Sequence, residues 1–407
     1  MRKFLLVSTL ALLLGCSDTG DFTIDYNGPV TDWPNYGGAA GGGHYSAATQ
    51  ITPDNVAHLQ KAWEYRSGHL LMPGRGTDLY PTGDELPALG SGWQLTPLLV
   101  NGTLYGCSVF NRMFALDPQT GEELWGVDPD VDASKEVLVN CRGVSSWQGA
   151  ANADGMCAHR IFMGTMDGRL LAVDGGTGEV CADFGDNGTV NLKSGLGVDV
   201  EYEYSAHSPP AILGDTLIMG SMILDRVHND MPSGVVRAFD VRSGEQVWHW
   251  DPIPPGQEPE IDADGEPVYQ RGTSNVWSII SVDPERNLVF LPTGNTSTDF
   301  YGGLRDNLDY YSSSVVALDG ASGEVVWHFQ AVHHGIWDYD LATAPNLMDV
   351  EVNGRKIKAV AQASKQGMTY VFDRVTGEPI WPIVEAPVNY HSTVPGEKLS
   401  RTQPMPT

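Results

Sequence analysis

A short apolar run that ends in Asp, then two residues, then Ser or Thr and Gly, recurs five times along the chain. The copies are MFALDPQTGEELW, LLAVDGGTGEVC, VRAFDVRSGEQVW, VVALDGASGEVVW and TYVFDRVTGEPIW, with the aspartates at Asp117, Asp174, Asp240, Asp319 and Asp373. Four of them carry a Trp four residues after the Gly: Trp125, Trp248, Trp327 and Trp381. Each copy predicts a β-hairpin whose Asp carboxylate accepts hydrogen bonds in the turn and whose Gly takes positive φ. Further β-rich runs, TLYGCSVF, RIFMGTM, TLIMGSMI and LVFLPTG, lie between the copies, so each repeat can supply about four strands. Repeated four-stranded units predict an all-β propeller, with the recurring Trp docking one blade against the next. Residues 51–68, ITPDNVAHLQKAWEYRSG, read as the outer part of a blade completed by ring closure, and the chain stops at SRTQPMPT shortly after the fifth copy.

Composition narrows what such a fold does. The 407 residues include 51 acidic and 24 basic side chains, a formal net charge of −27, which argues against nucleic-acid binding because phosphate affinity comes from Lys and Arg. With 47 Gly and 26 Pro the chain is rich in turns, yet 41% hydrophobic and 18% charged residues support a large core. Length alone suggests two or three domains; the repeats turn that into one propeller, expected over residues 33–407 on the motifs set out below. Residues 1–16, MRKFLLVSTLALLLGC, have the layout of a secretory signal peptide. The LLGC ending resembles a bacterial lipobox, which implies cleavage before Cys16 and lipid attachment to its thiol; an ordinary signal peptide with an incidental cysteine is the alternative. Residues 17–32 then form a tether, and the expected location is the periplasmic side of a bacterial membrane, lipid-anchored, with inner and outer membranes both open. No later run reaches the ~18 apolar residues of a membrane helix. Cys107, Cys141, Cys157 and Cys181 allow up to two disulfides, with all three connectivities open. No CxxCH motif occurs, so the chain carries no c-type haem site of its own.

The motifs WPNYGGAAGGGHYSAATQ, WQLTPLLVNGTLYGCS, NCRGVSSW, MPSGVVRAFD, LPTGNTSTDFYGG, VHHGIWDYDLATAPNL and SKQGMTYVFDRVTGEPIWP span about residues 33 to 405. Together they resemble the pyrroloquinoline quinone (PQQ)-dependent alcohol and sugar dehydrogenases, and among these the branch similar to membrane-bound glucose dehydrogenase. The resemblance implies an eight-bladed β-propeller of the quinoprotein dehydrogenase type, of which the repeats account for about five to six blades. The chain is accordingly expected to be C-terminally incomplete.

The resemblance also implies roles for individual residues. A quinone cofactor needs an aromatic floor, cations for its carboxylates and a metal to polarise its reactive carbonyl. In HHGIWDYD, Asp338 matches the catalytic base that takes the substrate hydroxyl proton, and it is also an expected metal ligand. Asp340 adds an oxygen donor; its spacing from Asp338 resembles lanthanide-using alcohol dehydrogenases, so Ca²⁺, Mg²⁺ and a lanthanide all stay open. Asn295 in PTGN and Asp225 in SMILDRVHNDMPSG match metal ligands, and such oxygen donors suit a hard cation. Arg226 departs from the Asn common at its position and is expected to point away from the metal. Trp277 in GTSNVW matches the indole stacked under the cofactor ring. Arg142 in NCRGVSSW and Lys365 in ASKQGMTYVFDR match cations that contact the quinone. Trp147 stands where the glucose dehydrogenase branch tends to have His, a change expected to bear on substrate preference. His333 and His334 read as structural. Outside these motifs the same residues have plainer readings, as turn or capping groups, core indoles and solvated surface cations.

The implied function is oxidation of a hydroxyl of an alcohol, polyol or aldose, with electrons passed to ubiquinone or cytochrome c. A non-catalytic propeller lipoprotein, such as an outer-membrane assembly or scaffold component, is one alternative. An inactive truncated fragment with an open blade edge is the other.

Overall fold

The computed structural model describes residues 32–67, 90–132, 136, 138–150, 155–197, 202–257, 260–265 and 267–407. The lipidation position Cys16, the leader and nearly all of the tether lie outside them. Among the described residues no helix is long and apolar enough to cross a membrane.

Four antiparallel four-stranded sheets follow one another along the chain, each a simple meander from inner to outer strand. The first comprises Leu98–Val100, Thr103–Cys107, Met113–Leu116 and Glu123–Val127. The second comprises Ser145–Gln148, His159–Gly164, Arg169–Asp174 and Thr189–Asn191. The third is built from Ala211–Leu213, Thr216–Met219, Val236–Asp240 and Gln246–Trp250. The fourth is built from Ser281–Asp283, Leu288–Pro292, Ser314–Asp319 and Val325–Gln330. A fifth sheet has three strands, Asn346–Val352, Arg355–Ala363 and Thr369–Asp373, and a closing hairpin pairs Ile383–Pro387 with Thr402–Pro406. The inner strands touch in succession from first to fifth, the arrangement of propeller blades around an axis.

The near-continuous apolar strands have a simple cause. Successive side chains point to opposite faces of a sheet, and here each face meets a neighbouring blade. Ile161 and Met163 enter the core shared by the first and second sheets, while Phe162 between them enters the core shared by the second and third. Val289 and Leu291 pack toward the third sheet and Phe290 toward the fifth.

All five D-x-x-[ST]-G turns form as the repeat predicts. Asp117 Oδ1 accepts the N–H groups of Gln119 and Thr120, both at 2.8 Å, and Asp174, Asp240, Asp319 and Asp373 do the same in their copies. A returning strand follows at once in three copies. After Asp174 and Asp373 the return shrinks to single bridges, Val173 to Val180 and Phe372 to Pro379. Pro379 has no N–H for a ladder, and Cys181, bonded to Cys157, still donates its N–H to the Ala172 carbonyl at 3.0 Å.

The repeated Trp joins the blades through the next turn. Trp125 Nε1 donates to the Gly175 carbonyl at 3.0 Å, Trp248 Nε1 to Gly320 at 3.0 Å and Trp327 Nε1 to Arg374 at 3.1 Å. Trp63, upstream of the first sheet, reaches Pro118 in the same way at 3.0 Å, although residues 59–67 form no strand. The indole lies against the turn glycine: a Cβ on Gly323 would stand 2.6 Å from Trp248. The second sheet has no such Trp. Its joint to the third uses Arg160, whose Nη1 donates to the Arg242 carbonyl at 2.8 Å and whose Nη2 pairs with Asp183 at 2.5 Å, together with a Gly185 N–H to Ser243 bond of 2.7 Å. The Cys157–Cys181 disulfide braces this joint, and a second disulfide links Cys107 to Cys141.

Candidate active site

Alternating strand direction puts the D-x-x-[ST]-G turns at one end of every blade. At the opposite end lie the crossovers into each inner strand and the loops between second and third strands. The seven candidate residues for cofactor, metal and catalysis come from that opposite end. Arg142 leads into the inner strand of the second sheet, Trp277 into that of the fourth, and Asp338 and Asp340 lie in the crossover from fourth to fifth. Asp225, Asn295 and Lys365 occupy the second-to-third-strand loops of the third, fourth and fifth sheets.

These loops converge. Lys365 Nζ stands 2.9 Å from Asp338 Oδ2 and 2.8 Å from Asp340 Oδ2. Asp340, 5% exposed, is a hub: its Oδ2 also accepts the Trp277 indole N–H at 3.0 Å and its Oδ1 the Asn295 backbone N–H at 2.6 Å. Asn295 donates from Nδ2 to the carbonyls of Asp299 at 2.8 Å and Gly335 at 3.1 Å, which leaves Oδ1 as an acceptor, here of the Ser312 hydroxyl at 3.0 Å. Over the half-buried Trp277 ring lie two cations, with Arg142 Cζ 5.1 Å and Lys365 Nζ 5.6 Å from its centre. Asp338 itself has positive φ, 54°, an uncommon state for a non-glycine residue.

Asp225 reaches solvent yet has protein on most sides. Burial, then repulsion from Asp299, Asp338 and Asp340, pushes its carboxyl up to about 7 despite the opposing pull of Lys365. Burial and Asp338 likewise push Asp340 up, against Lys365 and the Asn295 N–H. Burial acts to lower the Lys365 ammonium, but Asp340 and Asp338 outweigh it and its proton is held more tightly than usual. Burial depresses the Arg142 guanidinium.

Asp299 joins this group without having been singled out in the sequence. It is 5% exposed, is pushed up chiefly by burial, and accepts the Arg226 backbone N–H at 3.0 Å. A carboxylate four residues after Asn295 in the same loop was the available signal. Arg226 lays its guanidinium over the Phe300 ring at 5.9 Å. Trp147 lies elsewhere: its indole donates to Asp215 and stacks under Arg242, at the joint between second and third sheets, so its contacts give no route to substrate preference. His333 and His334 diverge, His333 to Gln330 and Glu385, His334 to Asp309 and Glu397.

A half-buried indole flanked by two cations fits a planar anionic ligand. Four carboxylates, with Lys365 against two of them, leave excess negative charge suited to a hard cation. Among the described residues no three acidic, histidine or cysteine side chains hold a metal by themselves, so Asn295 Oδ1 and donors from a bound ligand would have to complete such a site.

Residues 33–407 match the family described as "PQQ: Glucose/ethanol/alcohol dehydrogenase, beta-propeller domain". The quinate/shikimate dehydrogenase (quinone) of Acinetobacter baylyi is 37% identical over 396 residues, covering 92% of this chain and 46% of that protein. The quinoprotein glucose dehydrogenase of Escherichia coli is 34% identical over 382 residues, covering 92% and 46%. The structure of quinohemoprotein alcohol dehydrogenase from Comamonas testosteroni superposes with a TM-score of 0.69 at 26% identity, covering 94% of this chain and 53% of that one. The chain thus spans about half the length of the relatives it matches.

Proposed function

Because the chain belongs to the PQQ-dependent glucose/ethanol/alcohol dehydrogenase β-propeller family, we propose that it forms the catalytic face of a quinoprotein oxidoreductase that oxidises a CH–OH group. The observation that carries this reading is the convergence of Asp338, Asp340, Lys365 and Asn295 beside the cation-flanked face of Trp277. Bound there, PQQ would supply the two-electron acceptor and a hard cation (Ca²⁺, Mg²⁺ or a lanthanide) the polarising charge. Trp277 offers the stacking face, and Arg142 and Lys365 offer positive charge to carboxylates and to growing negative charge on oxygen. Asn295, Asp225 and Asp338 are the oxygen donors for the cation, while Asp340 orients Trp277, Asn295 and Lys365 and adds its own charge. Asp338 receives the substrate hydroxyl proton at a carboxylate oxygen, and Lys365 against its Oδ2 holds that carboxylate in place.

Relatives named for quinate or shikimate and for glucose support a polyhydroxylated ring as substrate, within the wider class of alcohols, polyols and aldoses. Quinone is the proposed electron acceptor, with cytochrome c the alternative, and the complete ring is proposed to have eight blades. The protein is proposed to act from a lipid anchor on the periplasmic side of the membrane.

The test is dye reduction by the full-length protein reconstituted with PQQ and Ca²⁺ or La³⁺ over a panel of sugars, polyols and cyclic hydroxy acids. Asp338→Asn is expected to lower kcat by roughly 10²–10⁴-fold, the usual worth of a general base, while PQQ still binds by absorbance. Absence of both turnover and cofactor binding in the unaltered protein would end the enzyme reading.

A further inference from the structure

The two disulfides occupy opposite ends of the blades. Cys157 lies between the inner and second strands of the second sheet and Cys181 just beyond the Asp174 turn, so their bond belongs to the turn end. Cys107 closes the second strand of the first sheet and Cys141 lies in the crossover to the second, so the other bond belongs to the end that carries the site. Both Cys107 and Cys141 are buried, and the next residue is Arg142.

Arg142 is a cation in need of outside support. It is largely enclosed, and among the described residues it forms no ion pair. Its Nη1 has only long contacts with neutral acceptors, the Ser208 hydroxyl at 3.3 Å and the Trp277 carbonyl at 3.5 Å. Its other contact is the Trp277 ring, 5.1 Å from Cζ, so where the guanidinium stands over that ring depends on where its backbone is held. That backbone is tied on three sides. The Arg142 N–H donates to the His207 carbonyl at 2.9 Å, the Arg142 carbonyl accepts the Thr96 N–H at 3.1 Å, and Cys141 is bonded to Cys107. The first tie comes from the approach to the third sheet, the second from the approach to the first, and the third is covalent.

We propose that the Cys107–Cys141 disulfide is a positioning element for the site, fixing the Arg142 guanidinium over Trp277 for an anionic planar cofactor, while Cys157–Cys181 serves the blade joint alone. This rests on the cofactor reading above. The step that would undo it is a two-electron reduction by an external dithiol, which leaves two thiols on the protein and a disulfide on the reductant.

The test compares two variants of the full-length protein, Cys107→Ala with Cys141→Ala and Cys157→Ala with Cys181→Ala. PQQ affinity in the presence of Ca²⁺ is measured by quenching of tryptophan fluorescence, and amide hydrogen exchange is followed in the peptide covering 138–147 without cofactor. Loss of the site-end bond is expected to weaken PQQ binding at least tenfold and to speed exchange at Arg142. Loss of the turn-end bond is expected to leave affinity within twofold, though the thermal midpoint falls in both. Equal weakening in the two variants, or unchanged affinity and exchange in the first, would overturn the positioning role. Failure of the unaltered protein to bind PQQ removes the cofactor reading, and faster exchange at Arg142 in the first variant then shows the anchoring on its own.

Discussion

His334 stands between two carboxylates, Nδ1 2.9 Å from Asp309 Oδ2 and Nε2 2.5 Å from Glu397 Oε1. Carboxylates only accept, so an imidazole that serves both must donate from both nitrogens and carry charge. The hydrogen bond to Asp309 leads in raising its pKa, ahead of an opposing burial effect, and Glu397 and Asp309 are both held below the usual carboxylate range. A raised folded-state value means that this contribution is fully present below the ordinary imidazole value of 6.5 and is lost as pH rises through the raised one. The two acids contribute in the opposite sense, losing their share as pH falls through their lowered values. The thermal midpoint of the unaltered protein should therefore exceed that of His334→Gln most in mildly acidic buffer, and the gap should close toward alkaline pH. A gap constant with pH would refute the clamp. His334 lies four residues before Asp338, so the clamp anchors the loop that bears that carboxylate. Asp338, Lys365, Trp277 and Asn295 were legible in the sequence because they sit in long, specific motifs. Asp299, the His207 carbonyl and the Glu397 clamp were not, since their partners lie far along the chain and meet only once the blades pack.

Hairpin turns were the most legible elements, because Asp, Ser or Thr and Gly at fixed offsets satisfy one another within a few residues. Strands beyond the turn were less so: after Asp174 and Asp373 the return is a single bridge, where the copies at Asp117, Asp240 and Asp319 complete a strand. The Trp joints follow from the repeat, and their energy can be tested. Trp248 is 7% exposed and packs in the core between third and fourth sheets, so Trp248→Ala should cost about 3–5 kcal/mol. Gly323→Ala should also destabilise, as its φ is +74° and the new methyl would meet the Trp248 ring. Denaturant midpoints read both, and a Trp248→Ala loss below about 1 kcal/mol would show that the indole is not what holds the joint. The disulfides close loops with sequence separations of 34 and 24 residues, and on chain-entropy grounds each stabilises by about 3.5 kcal/mol. Comparable stability loss in the two cysteine variants is what allows their cofactor affinities to be compared.

At the scale of the whole molecule, fold class was legible from five copies of one turn, whereas the end at which the candidate residues gather was not, because that depends on counting strand directions through each meander. Within a chain of net charge −27, Asp225, Asp299, Asp338 and Asp340 stand close enough to repel one another. A bound cation relieves that repulsion, so stability should respond to metal. In protein already loaded with PQQ, Ca²⁺ or La³⁺ at 100 times its dissociation constant stabilises the folded state by about 2.7 kcal/mol, seen as a higher thermal midpoint that a chelator reverses. No shift with either ion would sink the metal assignment. The joints between blades have an evolutionary corollary. The units of the first and fourth sheets each present an indole to the next turn and receive one on their own, Trp125 and Trp63 in the first and Trp327 and Trp248 in the fourth, so an in-frame gene duplication of either arrives with both halves of the contact. Ring size can then change by copying at the Trp joints. The joint between the second and third sheets, made from Arg160, Asp183 and a crosslinked pair of cysteines, has no interchangeable half. Blade gain or loss should have left that boundary untouched while shuffling the others.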